Sequence, residues 1–181
     1  MACCLLYAII CSMGYGIGVK CKCQDKELML GVGMGYPSFY RETMEDIRSG
    51  KYGAEMRDLV KNGKYIAVDA EKYMYYCDKC GCVEGFTALD LYEPKDIKKI
   101  EERVVGRWSA AELAQNKTVK ELGELPYFNS DDEDFVLLKE YKHVCPKCGK
   151  VMRKIDEEEL KEKTCPKCGE KYQMFSGILW D

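Results

Sequence analysis

Histidine is almost missing from this chain, which contains a single one, His143, among 181 residues. The sequence also has no His-Glu-x-x-His, Gly-x-Ser-x-Gly or Walker-type motif. Catalytic triads and histidine-rich catalytic metal sites therefore lack the groups that they require. We expect a protein that is not an enzyme.

Neither positive nor negative charge dominates the composition. The chain has 28 Lys and Arg residues against 31 Asp and Glu residues, so its formal net charge is −3. This balance provides no overall attraction for nucleic acid, although a local basic patch remains compatible with it. A hydrophobic fraction of 46% and a charged fraction of 33% are typical of a soluble globular protein.

The first 19 residues lack charge altogether, since the first charged side chain is Lys20. A secretory signal would carry a basic segment before its apolar part. The most apolar stretch, residues 5–11, is far too short to span a bilayer. We therefore predict one or two buried strands in residues 1–19 and no membrane partner.

Cysteine, in contrast, is abundant, with 12 residues. In a secreted chain these cysteines could pair as disulfides. Eight of them, however, fall in tight pairs with the spacing of metal ligands, in segments rich in Lys and Gly. This pattern favours metal-bound thiolates in a reducing cytoplasm.

The phrase Cys-Pro-Lys-Cys-Gly occurs twice, starting at Cys145 and at Cys165. Two thiolates separated by two residues can reach one ion from a tight turn, and the glycine after each pair supplies a positive φ without steric cost. The spacing of the two pairs is that of a four-cysteine zinc site with a closed tetrahedral shell. The predicted ligands are Cys145, Cys148, Cys165 and Cys168.

Residues 139–175, which contain both phrases, resemble a zinc ribbon. The resemblance rests on the four cysteines and on the glycine and proline of each phrase. It implies a structural zinc ion held between two hairpin turns, whereas a rubredoxin-type iron site usually has more widely separated turns and more aromatic residues. His143 precedes the first ligand, and we expect it to be a strand residue rather than a ligand.

A third cysteine pair of the same spacing lies upstream and is also followed by glycine, Gly81. Two cysteines near residue 20, separated by one residue, could complete a second four-cysteine shell. The predicted ligands of this second site are Cys21, Cys23, Cys77 and Cys80. Two alternatives stay open, with Cys82 in place of Cys80 or Cys11 as a contributor. We therefore expect Zn²⁺ at one site and consider a second.

These patterns predict an α+β fold made of two small zinc-ribbon-like β modules with inserted and connecting helices. The expected division is an N-terminal module with a helical insertion, a helical connector ending in an acidic turn, and a C-terminal zinc ribbon. The corresponding ranges are 1–94, 95–134 and 135–181.

Local patterns predict the helices. Residues 38–50 and 51–63 each read as a short helix closed by glycine. Helical spacing of apolar residues predicts a further helix around residues 97–104, and Ser109 begins a capping-box pattern. The glycine-rich stretch at residues 31–37 could cradle phosphate, but it lacks the dinucleotide fingerprint and we interpret it as a turn.

The insert between the two phrases is highly charged. We interpret it as a strand followed by a solvated helical turn, because its acidic run Asp-Glu-Glu-Glu opposes a phosphate-facing surface. The basic residues that would form such a surface are Lys147, Lys150, Arg153, Lys154 and Lys167.

The function that we expect is that of a non-enzymatic cytoplasmic zinc-binding protein, an adaptor or regulatory module with a protein partner. One alternative is a thiol switch or an iron electron-transfer protein, suggested by four spare cysteines. These are Cys3, Cys4, Cys11 and Cys82. Another alternative is a zinc ribbon that binds nucleic acid.

Overall fold

The computed structural model describes residues 15–21, 28–32, 37–107, 123, 125 and 128–179. Within these residues the chain forms nine strands and four helices, all strand pairs being antiparallel. The predicted α+β class is confirmed. No helix in the described part of the chain has both the length and the apolar character needed to cross a membrane.

The elements follow one another in short runs. The strands are β1 (Tyr15–Lys20), β2 (Leu28–Val32), β3 (Ala67–Val68), β4 (Lys72–Tyr76), β5 (Val83–Thr87), β6 (Leu91–Pro94), β7 (Phe135–Lys139), β8 (Arg153–Ile155) and β9 (Gln173–Leu179). The helices are α1 (Pro37–Ser49), α2 (Ala54–Asn62), α3 (Ile97–Arg107) and α4 (Glu157–Glu162).

The chain divides into two compact units, each assembled from separate segments. Unit 1 comprises residues 1–35, 71–88 and 142–181, and unit 2 comprises residues 36–70 and 89–141. This differs from the expected consecutive division at residues 94 and 134. Long-range strand pairing is the reason, because β4 pairs with β8 and β6 pairs with β7.

Unit 2 contains α1, α2 and α3 with a three-stranded sheet in the order β3-β6-β7. Its core includes Ile47, Leu91 and Ile100, none of which has measurable exposure. The predicted helices at 38–50, 51–63 and 97–104 are confirmed. Burial of such an apolar stripe, rather than helix propensity, stabilises short helices.

Unit 1 contains two three-stranded sheets, in the orders β2-β1-β9 and β5-β4-β8. One core cluster of this unit joins residues of both sheets, among them Ile17, Met74 and Ile155. Tyr75 and Tyr76 are both buried on β4, so both faces of this strand are covered. The predicted strand in the apolar N-terminal segment is found as β1, while residues 1–14 lie outside the described residues.

Two further expectations concern residues that the description does not cover. The capping-box pattern at Ser109 and most of the glycine-rich turn after β2 lie there. The charged insert is as predicted, with strand β8 followed by helix α4. Asp156 caps this helix, since its side chain accepts a hydrogen bond from the Glu159 amide at 2.7 Å.

Candidate metal centres

Three loops of unit 1 carry the same Cys-x-Lys-Cys-Gly sequence. We call residues 77–82 loop A, residues 145–150 loop B and residues 165–170 loop C. Loop A connects β4 to β5, and loops B and C are each flanked by one antiparallel bridge. Those bridges join Val144 to Val151 and Thr164 to Lys171.

The backbone hydrogen bonds of the three loops match one another. In loop A the Cys77 amide donates to the Cys82 carbonyl at 2.9 Å, and the Gly81 amide donates to the Cys77 carbonyl at 2.8 Å. Loops B and C repeat both bonds at 2.7–2.8 Å. The five-residue sequence therefore specifies one loop geometry wherever it occurs.

Glycine at the fifth position is required by this geometry. Gly81, Gly149 and Gly169 have φ angles of 65°, 68° and 74°. This left-handed region costs an ordinary side chain roughly 1–2 kcal/mol. The turn chemistry predicted from the sequence is thus confirmed in all three loops.

Loops A and B together bring four thiols to one place, and we call this the four-thiol cluster. Its sulfur atoms all lie within 4.8 Å of one another. Two pairs are closest, with 3.5 Å between the sulfurs in each case. The members are Cys77, Cys80, Cys145 and Cys148.

Strand pairing positions this cluster. β4 leads directly into loop A, and its partner β8 follows loop B. The register sets Tyr76 opposite Arg153 and Met74 opposite Ile155. Because both loops lie at the same end of this strand pair, their cysteines meet without any further connection.

Loop C contributes to a second group, which we call the three-thiol cluster. Cys165 and Cys168 lie with Cys21, which follows β1, and their sulfur atoms are within 4.8 Å of one another. The Cys21 and Cys168 sulfurs are 3.3 Å apart. Cys21 and Cys165 are buried whereas Cys168 is exposed. The pairing of β1 with β9 brings the two segments together.

The structure therefore groups the predicted ligands differently from the sequence expectation. Cys145 and Cys148 do not share a cluster with Cys165 and Cys168, although the doubled phrase suggested it. Spacing could not reveal this, because every loop offers the same two ligands and the sheets decide which loops meet. Cys23 and Cys11 lie outside the described residues.

Two residues near the four-thiol cluster are not members of it. The first is Cys82, whose sulfur lies 3.4 Å from a Glu84 carboxylate oxygen, so that Cys80 and not Cys82 is the second ligand from loop A. His143 is also outside, as expected. Its Nε2 donates to the Ala88 carbonyl at 3.2 Å, and its ring stacks on Phe86 with 4.8 Å between centroids.

The local environment affects the thiols of the cluster unequally. Burial alone would raise the pKa of Cys145, but backbone N–H groups of Lys147 and Cys148 donate to its sulfur and lower the pKa to about 6. Burial raises the pKa of Cys80 to about 12. Cys145 therefore forms a thiolate more readily than Cys80 does.

Arg153 stabilises the approach of loop A to the segment after loop B. Its guanidinium contacts the Asp78 carboxylate at 3.1 Å and the Glu159 carboxylate at 2.6 Å. Asp78 lies between the two cysteines of loop A. The sequence indicates Arg153 only as a phosphate-facing candidate, and the pairing of β4 with β8 brings it to Asp78.

Both clusters have the donor set of a metal site, and no disulfide joins the cysteines that the structure describes. All-thiolate groups of this kind suit soft or borderline cations. The chain matches no protein-family model, and neither a curated protein nor a solved structure matches it significantly. What the chain shows is thus a pair of cysteine clusters, in one α+β protein, that could hold metal ions.

Proposed function

We propose that this chain is a non-enzymatic zinc-binding protein of the cytoplasm whose four-thiol cluster holds a structural Zn²⁺. The observation that carries the proposal is the convergence of two loops with the same backbone hydrogen bonds, each of which contributes two cysteines to one cluster. Identical turns facing one another are the arrangement of a structural zinc site of zinc-ribbon type.

The sulfur distances fit this ion. Zn–S bonds of about 2.3 Å place tetrahedral sulfurs about 3.8 Å apart. The sulfur pairs Cys77–Cys148 and Cys80–Cys145 are each 3.5 Å apart, and no sulfur pair in the cluster exceeds 4.8 Å. Small adjustments of side-chain rotamers would suffice to complete the shell.

A structural role follows from the number of ligands. Four thiolates occupy all tetrahedral positions, so the ion would offer no open position to a substrate. It would instead link residues 71–88 to residues 142–181, two of the three segments of unit 1. Small modules with limited apolar cores commonly depend on metal binding for their folding free energy.

An interaction role is supported by an apolar pair beside loop B. Val144 and Val151 face each other across the bridge and are 59% and 58% exposed. Apolar side chains presented by a metal-supported hairpin suit contact with a protein partner. We therefore propose an adaptor or regulatory module rather than a carrier of metal.

Metal analysis of the reduced, full-length chain tests this function. We expect zinc to co-purify and the double substitution Cys77→Ser, Cys80→Ser to remove one zinc per chain. Cys82→Ser is the matched control, since it removes a buried thiol of the same loop that is not in the cluster. A colourless, metal-free chain with unit 1 fully folded would contradict the proposal. A coloured protein that contains iron would show that the cluster holds iron and not zinc.

The three-thiol cluster favours a second candidate, a redox-responsive thiol switch. Cys168 is exposed and its sulfur is 3.3 Å from that of Cys21. A peroxide could oxidise the Cys168 thiolate to a sulfenic acid with release of hydroxide. Attack by the Cys21 thiolate would then form a disulfide and release a second hydroxide. Mass mapping after mild peroxide treatment should detect a Cys21–Cys168 disulfide before any other.

Nucleic-acid binding has less support. Among the candidate residues, Arg153 is engaged by two carboxylates, and the Lys154 ammonium lies over the Tyr73 ring at 4.3 Å from its centroid. These contacts reduce the positive surface that phosphates would meet. Salt-sensitive retention on immobilised RNA or DNA would nevertheless restore this function.

A further inference from the structure

Loop A and loop C contact each other directly, although they belong to different clusters. The Tyr172 hydroxyl, just beyond loop C, donates a buried hydrogen bond to the Gly81 carbonyl of loop A at 2.6 Å. Gly81 directly follows the cluster ligand Cys80. The two candidate metal sites are therefore joined by a hydrogen bond between the loops that carry their ligands.

The contact is close enough to exclude a side chain at position 81. A Cβ atom there would overlap the Pro166 ring of loop C and lie 2.8 Å from the Tyr172 hydroxyl oxygen. The equivalent glycines of the other loops, Gly149 and Gly169, have nothing within 4 Å of such an atom. Gly81 is thus required both for its φ angle and for the approach of loop C.

Metal binding at one of these two loops should therefore change the metal affinity of the cluster to which the other loop belongs. A metal ion orders the loop that binds it, and ordering costs conformational entropy. Because loop A and loop C pack on one another, an ion bound at one of them also orders part of the other. The second ion then binds with a smaller loss of conformational entropy. Burial of Tyr172, at 9% exposure, means that its hydrogen bond cannot be exchanged readily for one to water.

We propose that the two clusters bind metal with positive cooperativity, and that Tyr172 and Pro166 couple them. This inference rests on the proposed function for the four-thiol cluster and adds to it that the three-thiol cluster also binds Zn²⁺. Coupling free energies between sites typically change affinity by roughly 5- to 150-fold. Tyr172 acts as a positioning residue, since it would hold loop A and contact no ion.

The experiment compares Zn²⁺ isotherms of six full-length proteins, measured against a competing chelator with the bound ions counted by native mass spectrometry. Cys165→Ser leaves the four-thiol cluster as the single site, and the double variant Cys77→Ser, Cys80→Ser leaves the three-thiol cluster as the single site. If the sites are coupled, the wild type saturates at roughly 5- to 150-fold lower free Zn²⁺ than the sum of the two single-site isotherms. Tyr172→Phe should bring the isotherm of the two-site protein close to that sum.

Tyr73→Phe is the matched control. Its hydroxyl also donates a hydrogen bond within unit 1, to Glu71 at 3.0 Å, but this bond does not join the loops. The control should keep the cooperative isotherm. Pro166→Ala provides a second test of the contact, because it removes the ring beside Gly81 and should weaken the coupling without removing any ligand.

The outcomes separate this inference from the proposed function. A wild type that binds two ions with an isotherm equal to the sum of the single sites overturns the coupling and leaves the function intact. Unchanged cooperativity in Tyr172→Phe and Pro166→Ala overturns the assigned contact. A wild type that binds no Zn²⁺ overturns the proposed function, and the coupling with it.

Discussion

The sulfur atoms of Cys77 and Cys148 lie 3.5 Å apart although 71 positions separate them in the sequence. An ion at this point would close a long loop that contains the whole second segment of unit 2. Cross-links that close long loops reduce the entropy of the unfolded chain more than short ones do. The grouping of the cysteines, rather than their number, thus decides what metal binding would stabilise.

Double variants distinguish the observed grouping from the one that spacing suggested. Cys80→Ser with Cys148→Ser should retain one zinc at saturating metal, since both residues belong to the four-thiol cluster. Cys148→Ser with Cys165→Ser should retain less zinc, because it removes one thiol from each cluster. Zinc content by elemental analysis decides the matter, and the reverse pattern would show that the doubled phrase forms one site after all.

Metal removal should affect the two units differently. The segments of unit 2 contain no cysteine, and their core is apolar. A chelator should therefore raise amide hydrogen exchange in residues 71–88 and 142–175 and leave the helices α1 and α2 protected. Equal loss of protection in α1 and α2 would contradict the independence of the unit 2 core.

A substitution in the core of unit 2 should destabilise unit 2 and leave the metal sites of unit 1 intact. Leu91 is fully buried in unit 2, and Leu91→Ala should lower the free energy of unfolding of that unit by about 2–5 kcal/mol. The zinc content should not change. Val136→Ala is a suitable comparison in the same sheet, because Val136 is 44% exposed and its truncation should change stability by less than about 0.5 kcal/mol.

At Gly149 the free-energy cost of the positive φ angle can be measured without steric effects from a new side chain. Its φ is 68° and a Cβ would meet nothing within 4 Å. Gly149→Ala should therefore weaken metal-supported stability by about 1–2 kcal/mol, the cost of the left-handed conformation. Gly149→Asn should cost less, since asparagine adopts this conformation more readily. Thermal unfolding of the zinc-loaded proteins checks the order, and an Asn variant as unstable as the Ala variant would argue against it.

Much of the local structure was predictable from the sequence. The helix around 97–104 follows from the spacing of Ile100 and Val104, both of which are buried. The turn at each Cys-x-Lys-Cys-Gly phrase follows from the glycine that must accept a positive φ. These features depend on residues within a few positions of one another.

The partners of the loops could not be predicted in the same way. Loops A, B and C have the same ligand spacing and the same hydrogen bonds, so nothing local distinguishes one pairing from another. The partners depend on β4 lying beside β8 and on β1 lying beside β9. The contact of Tyr172 with Gly81, 91 positions apart, has no sequence signal either.

The sequence by itself determined the α+β class, the helices and the geometry of three thiol loops, because each of these arises from short-range periodicity or from backbone angles that one residue type accepts. Only the tertiary structure decided that loop A meets loop B, that loop C meets Cys21, and that residues 36–70 and 89–141 together form one unit. The physical reason is that strand pairing brings together residues that are far apart in the sequence, and no periodic pattern in the sequence indicates which segments will pair.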